Sequence, residues 1–107
     1  MARGGWVYIM ANRYRCGMYV GVTADLILRV GQHREGKGSI HVADFNKRQL
    51  VFAERHDEIE AAIVREKLVK KWRRKWKFAL IEADNPEWLD LWKQRYPAGN
   101  VAKPDGA

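Results

Sequence analysis

Thiols are nearly missing from this chain: of 107 residues only Cys16 is a cysteine, so no intrachain disulfide can close and no cysteine-built zinc site is expected. Long apolar runs are missing too. The stretch Trp6 to Ala11 is followed at once by Asn12 and Arg13, which is too short for a membrane span and lacks the layout of a signal peptide. A cytoplasmic protein is the expectation. No repeat, linker or second composition regime divides the sequence, and neither glycine nor proline interrupts His56 to Asp84.

What is present suits one core. With 47% hydrophobic residues, a chain of this length buries roughly 65% of its unfolded surface as a single domain. We place that domain at residues 1–96, with 97–107 as a frayed tail opening on Pro97. The formal net charge of +7 is concentrated in one place. From Arg65 to Lys77 the chain carries Arg65, Lys67, Lys70, Lys71, Arg73, Arg74, Lys75 and Lys77 against one acid, Glu66, so this segment accounts for the whole excess. So local a field calls for a polyanion, because each cation that neutralises a phosphate releases counterions. A membrane surface is disfavoured, since Trp72, Trp76 and the charges do not separate by sequence into an apolar and a basic face.

Trp6 to Met10 and Met18 to Val22 are β-branched or aromatic and are joined by a polar loop ending in Gly17, the pattern of a β-hairpin. Alternation assigns Val7, Ile9, Met18, Val20 and Val22 to a core face and sends Tyr8 and Tyr19 together to the other side. Thr23 can cap a helix with Asp25 in its first turn and Leu26 and Val30 on its apolar stripe, ending near Gly36. Arg29 and His33 are four apart and share a face of it. Gln49 to Glu54 predicts a third strand. A long helix follows, with Asp57, Glu58 and Glu60 in its first turn and cations in its later turns, the polarity its dipole favours. A turn is expected near Trp72 to Arg74, then a helix through Ile81. Pro86 opens a short one, Glu87 to Arg95, with Trp88, Leu89 and Trp92 on one side as core residues.

One residue conflicts with this pattern. The apolar line of the long helix runs Ile59, Ala62, Ile63 and Val69, and Glu66 falls in it. A carboxylate there costs several kcal/mol unless it is compensated, which implies either a buried arginine or a metal ion.

These residues, in this order, resemble the GIY-YIG nucleases, in particular the small stand-alone bacterial members. Trp6-Val7-Tyr8 stands where Gly-Ile-Tyr is usual and Tyr19-Val20-Gly21 where Tyr-Ile-Gly is usual. Thr23, Asp25, Leu26, Arg29 and His33 follow the family spacing, as do Arg65-Glu66-Lys67 with Lys70, Lys71 and Trp72, and Asn85-Pro86 with Trp88 and Asp90-Leu91. The likeness covers roughly residues 5–92. Two departures stand out: Trp6 replaces a glycine, which changes only packing, and His41 or Lys47 stands in for a lysine or tyrosine that many relatives carry.

The resemblance implies an α+β fold, a small three-stranded antiparallel sheet (the hairpin plus one strand) flanked by three to four helices. It implies a metal-dependent endonuclease in which Glu66 holds one Mg²⁺ or Mn²⁺, Arg29 clamps phosphate, Tyr19 orients it, and Tyr8 or His33 carries the proton. Arg34, Lys37, Lys67, Lys70, Lys71, Arg73 and Arg74 would hold the nucleic acid, with DNA favoured over RNA and single-stranded or branched DNA over sequence-specific duplex. No obligate protein partner is expected. The alternative from another class is a non-catalytic DNA- or RNA-binding module on the same scaffold.

Overall fold

The computed structural model describes residues 4–34 and 49–92. Their order is β1 (Gly5–Ala11), β2 (Tyr19–Thr23), α1 (Leu26–Arg34), β3 (Gln49–His56), α2 (Ile59–Lys71) and α3 (Arg74–Glu82). The strands form one antiparallel sheet in the order β2-β1-β3, which is the expected α+β architecture. The third strand runs two residues further than the sequence implied, to His56. Gly36, Lys37, His41, Lys47 and the tail lie outside the described residues.

Both faces of the sheet are covered, where the alternation had implied one core face. Val7, Ile9, Ala11 and Val20 meet Ala62 and Val69 of α2, Ile81 of α3 and Trp88 in one apolar cluster. Tyr8 and Met10 meet Leu26 and Val30 of α1, Leu50, Leu91 and Trp92 in another. Tyr8 is therefore 1% exposed. The side expected to be open holds the second core, because β1 alternates apolar with apolar and not apolar with polar. Gly5 permits this stacking: a Cβ there would meet the Ile59 side chain and come within 3.1 Å of the Ala62 Cβ.

Helix starts differ from expectation in an instructive way. Asp25, not Thr23, caps α1, its Oδ1 accepting the Leu28 N–H at 3.1 Å. Thr23 shapes the preceding turn, its Oγ1 accepting the Asp25 N–H at 3.0 Å. In α2, Glu58 takes the cap position and only Glu60 lies in the first turn, while Lys70 and Lys71 occupy the last. The break before α3 falls at Trp72 and Arg73, both extended.

After α3 the expected Glu87–Arg95 helix is absent over its first part. Asn85 to Asp90 is non-helical, Trp88 has φ 58°, and helical backbone resumes at Leu91. This stretch closes a defect in the sheet. Ile9 pairs with Phe52 but Met10 with Leu50, so Val51 is an extra residue in β3. The Asn85 amide donates to the Val51 carbonyl at 3.0 Å and to the Leu89 carbonyl at 2.9 Å, while its Oδ1 accepts the Leu89 N–H at 2.9 Å. Asp90 Oδ1 accepts the Leu50 N–H and the Trp92 N–H, each at 3.1 Å. Trp88 and Trp92 are core residues as expected, but Leu89 is 44% exposed.

The hairpin loop is fastened from the same side. Arg15 has φ 52°, an unfavourable conformation for a side-chain-bearing residue. Its guanidinium holds Glu82 with two hydrogen bonds of 2.7 and 2.8 Å and lies over the Tyr14 and Phe78 rings. Glu82 also accepts the Trp88 indole N–H at 2.7 Å.

Two predictions follow from these contacts. Asn85→Ala orphans buried backbone groups of β3 and of the following loop, and should lower stability by about 3 kcal/mol, read as a reduced urea midpoint at unchanged m. The Arg15 pair and the Trp88 indole together depress the Glu82 pKa to about 2. A carboxyl depressed on folding contributes stability above its unfolded pKa and loses it as pH falls through the folded one. Glu82→Gln should therefore be less stable than the parent at pH 7, and urea midpoints of the two should converge on acidification from about 4.5 toward about 2.

Candidate active site

The site begins with a cross-strand pair. Tyr8 in β1 lies directly opposite Gly21 in β2, and a Cβ at residue 21 would fall 2.5 Å from the Tyr8 hydroxyl oxygen and 2.6 Å from Cζ. Only glycine lets the phenol lie across β2. Tyr19, two residues earlier on the same face, has its ring centroid 6.3 Å from that of Tyr8, tilted by 51°, and its hydroxyl shares a hydrogen bond with Tyr8.

The Tyr8 hydroxyl also reports what surrounds it. Burial, first, and then the neighbouring Tyr19 raise its pKa above the ordinary phenol value; Arg29 opposes them, and the Tyr19 hydrogen bond and the Glu66 carboxylate add to the rise. Arg29 reaches this point from exposed positions of α1, and Glu66 from α2. Tyr8, Tyr19, Arg29 and Glu66, contributed by four separate elements, thus converge electrostatically on one phenol.

Glu66 is buried in the α2 stripe, as the spacing implied, along with Ala62 and Val69. Ile63, expected on the same line, is instead 37% exposed. Of the two compensating charges expected for Glu66, the buried arginine is replaced by a lysine. Lys70, one turn on, places Nζ 2.7 Å from Glu66 Oε2, and its own side chain is 53% exposed against 9% for Glu66. The ammonium is the solvent-side member of the pair, and its departure leaves a buried carboxylate that only another cation can compensate. Among the described residues no group of three or more His, Cys, Asp or Glu side chains gathers as a metal cage. A single carboxylate suits a hard cation that keeps most of its waters, and so fits Mg²⁺ or Mn²⁺ rather than a zinc-type site.

His33 and Arg34 lie on the last turn of α1, and Lys37 is outside the described residues. The basic segment divides in two. Lys67, Lys71 and Arg73 are exposed. Arg74, by contrast, donates to the Arg15 carbonyl at 3.2 Å and lies 5.3 Å over the Phe78 ring, and Arg65 is bound to Glu54 through Nε at 3.0 Å and Nη2 at 3.3 Å. These two cations brace the fold. Two contributors escaped the sequence reading: Gly21, discoverable from the hairpin register that sets it against Tyr8, and Lys70 as partner of Glu66, discoverable from their i,i+4 spacing.

A family model for the GIY-YIG catalytic domain matches residues 4–79. Neither curated proteins nor solved structures give a match.

The Tyr8 environment makes a prediction about titration. An acid whose pKa is raised on folding contributes stability below its unfolded pKa, here 10.0, and loses it as pH climbs through the folded value. Ultraviolet titration should show one phenol ionising well above the others, Tyr8→Phe should remove that component, and the variant should lose less stability than the parent above pH ~10.

Proposed function

Because the chain belongs to the GIY-YIG catalytic-domain family, whose members are nucleases acting on nucleic acids and generally using divalent metals, we propose that it is a metal-dependent endonuclease hydrolysing phosphodiester bonds of DNA. Single-stranded or branched DNA is the favoured substrate. The observation that carries this reading is the convergence of Tyr19, Arg29 and Glu66 on Tyr8.

Each group has a task suited to its chemistry. Glu66 would hold one Mg²⁺ or Mn²⁺, with Lys70 swinging aside; bound there, the ion would neutralise phosphoryl charge and activate water. The Arg29 guanidinium presents a planar fork to non-bridging phosphate oxygens, which an ammonium does less well. Tyr19 orients the phosphate through its hydroxyl. Tyr8 keeps its proton at neutral pH in the resting site, so as a base it depends on the positive charge of Arg29 to release that proton. His33, an imidazole on the last turn of α1, is the other proton carrier. Lys67, Lys71 and Arg73 bind the flanking backbone.

The Glu66–Lys70 ion pair is the one observation that favours the alternative, a binding module without catalysis, since it satisfies the carboxylate with no metal. Cleavage assays on single-stranded, branched and duplex DNA with Mg²⁺, Mn²⁺ or EDTA separate the two. For the enzyme, Glu66→Gln and Arg29→Ala each lower the cleavage rate about 10²–10³-fold with binding largely retained, and EDTA abolishes cleavage. Absence of cleavage on all three substrates, with binding indifferent to EDTA and to Glu66→Gln, would establish the module instead. If His33 is the base, the acidic limb of the pH–rate profile disappears in His33→Ala.

A further inference from the structure

Where α2 gives way to α3, the fold leaves an apolar groove among unpaired cations. Trp72, Trp76, Ala79 and Leu80 line it, and its volume is about 290 Å³, near the ~300 Å³ lower end for ligand clefts. The indoles stand edge to face, centroids 6.0 Å apart at 80°. Trp76 is 53% exposed, whereas Trp72 is held in place: the Arg65 guanidinium lies 5.2 Å over its ring and is itself fixed by two hydrogen bonds to Glu54. Trp72 is thus a preorganised wall and Trp76 an open face. Around them Lys71, Arg73 and Lys75 are exposed, and among the described residues none of the three has a carboxylate within ion-pair distance. The sequence had suggested that aromatics and charges are intermixed here; in the fold Trp72, Trp76, Ala79 and Leu80 line one apolar surface, and the exposed Lys71, Arg73 and Lys75 are sequence neighbours of its indoles.

We propose that this groove takes an unpaired nucleobase of a single strand, stacked on Trp76 against Trp72, with the neighbouring phosphates on Lys71, Arg73 and Lys75. The inference rests on the nuclease reading for its choice of polyanion. Charge complementarity selects the occupant: an apolar peptide or a second copy of this +7 chain would bring uncompensated cations together, whereas a single strand supplies a π-face for the indole and anions for the neighbouring cations. Paired bases expose no such face. The groove therefore distinguishes unpaired from duplex nucleic acid without reading sequence. Trp72 follows Glu66 by six residues and is the residue that ends α2.

The test uses the full chain in EDTA, where no metal-dependent cleavage competes, with three labelled probes: an oligothymidylate, an abasic oligonucleotide of equal length and a duplex. Trp76→Ala should weaken binding of the oligothymidylate about tenfold, leave the abasic strand and the duplex unchanged, and keep the melting temperature of the parent. Trp76→Phe should recover most of the loss. Lys75→Ala should reduce the slope of log K against log salt by about 0.7 on base-bearing and abasic strands alike. Equal weakening on base-bearing and abasic strands, or no weakening, overturns the proposal. So does a parent that sediments as a dimer and becomes monomeric in Trp76→Ala, or one whose tryptophan fluorescence responds to phosphatidylserine vesicles and not to the oligothymidylate. Failure of the nuclease reading looks different: no cleavage with any metal, while the contrast between base-bearing and abasic strands persists.

Discussion

Tyr8 is buried from water in the apolar cluster on the α1 side of the sheet, and a phenol hydroxyl in that position must be satisfied by the protein. Gly21 gives it room, Tyr19 gives it a hydrogen bond, and Arg29 and Glu66 act on it through charge. The register that sets Tyr8 against residue 21 requires glycine there. Tyr8 sits on the central strand, which is paired on both sides.

The basic charge is less uniform than a count suggests. Arg15, Arg65 and Arg74 are spent on structure: one clasps Glu82, one ties α2 to Glu54 of β3 and covers Trp72, and one ties the hairpin loop to α3. His56 joins the second of these, 2.8 Å from Glu54. Burial disfavours the Glu54 carboxylate, but the hydrogen bonds from His56 and Arg65 outweigh it and leave its pKa lowered. These three guanidinium groups go where planar geometry and ring stacking matter, whereas Lys67, Lys71 and Lys75 are exposed. That division follows from the weaker hydration of arginine.

The hairpin, the third strand, the break after Lys71 and the position of Glu66 were legible because each leaves a strong local signature of alternation, helical spacing or charge. The second core was not, since Tyr8 and Met10 alternate with Val7 and Ile9 and no polar residue marks an outer face. Thr23 and Asp25 are both good caps, and only the turn between them decides which one serves. The extra residue at Val51 is invisible in a run of apolar side chains, so the stretch from Asn85 to Asp90 reads as a helix start when it is a repair of the sheet. That Arg29 and Glu66 both act on Tyr8 is not visible in their spacing and was implied only by the resemblance, because it is a property of the tertiary fold.

The span that matches the family ends at residue 79, yet Asn85 and Asp90, which close the β3 irregularity, follow it, as do Glu82 and Trp88, which join Arg74 and Phe78 in fastening the hairpin loop. A fragment trimmed to the matched span would keep every proposed catalytic group and forfeit the latch that holds their scaffold shut. The span that carries the family signature and the span that closes its scaffold therefore do not coincide.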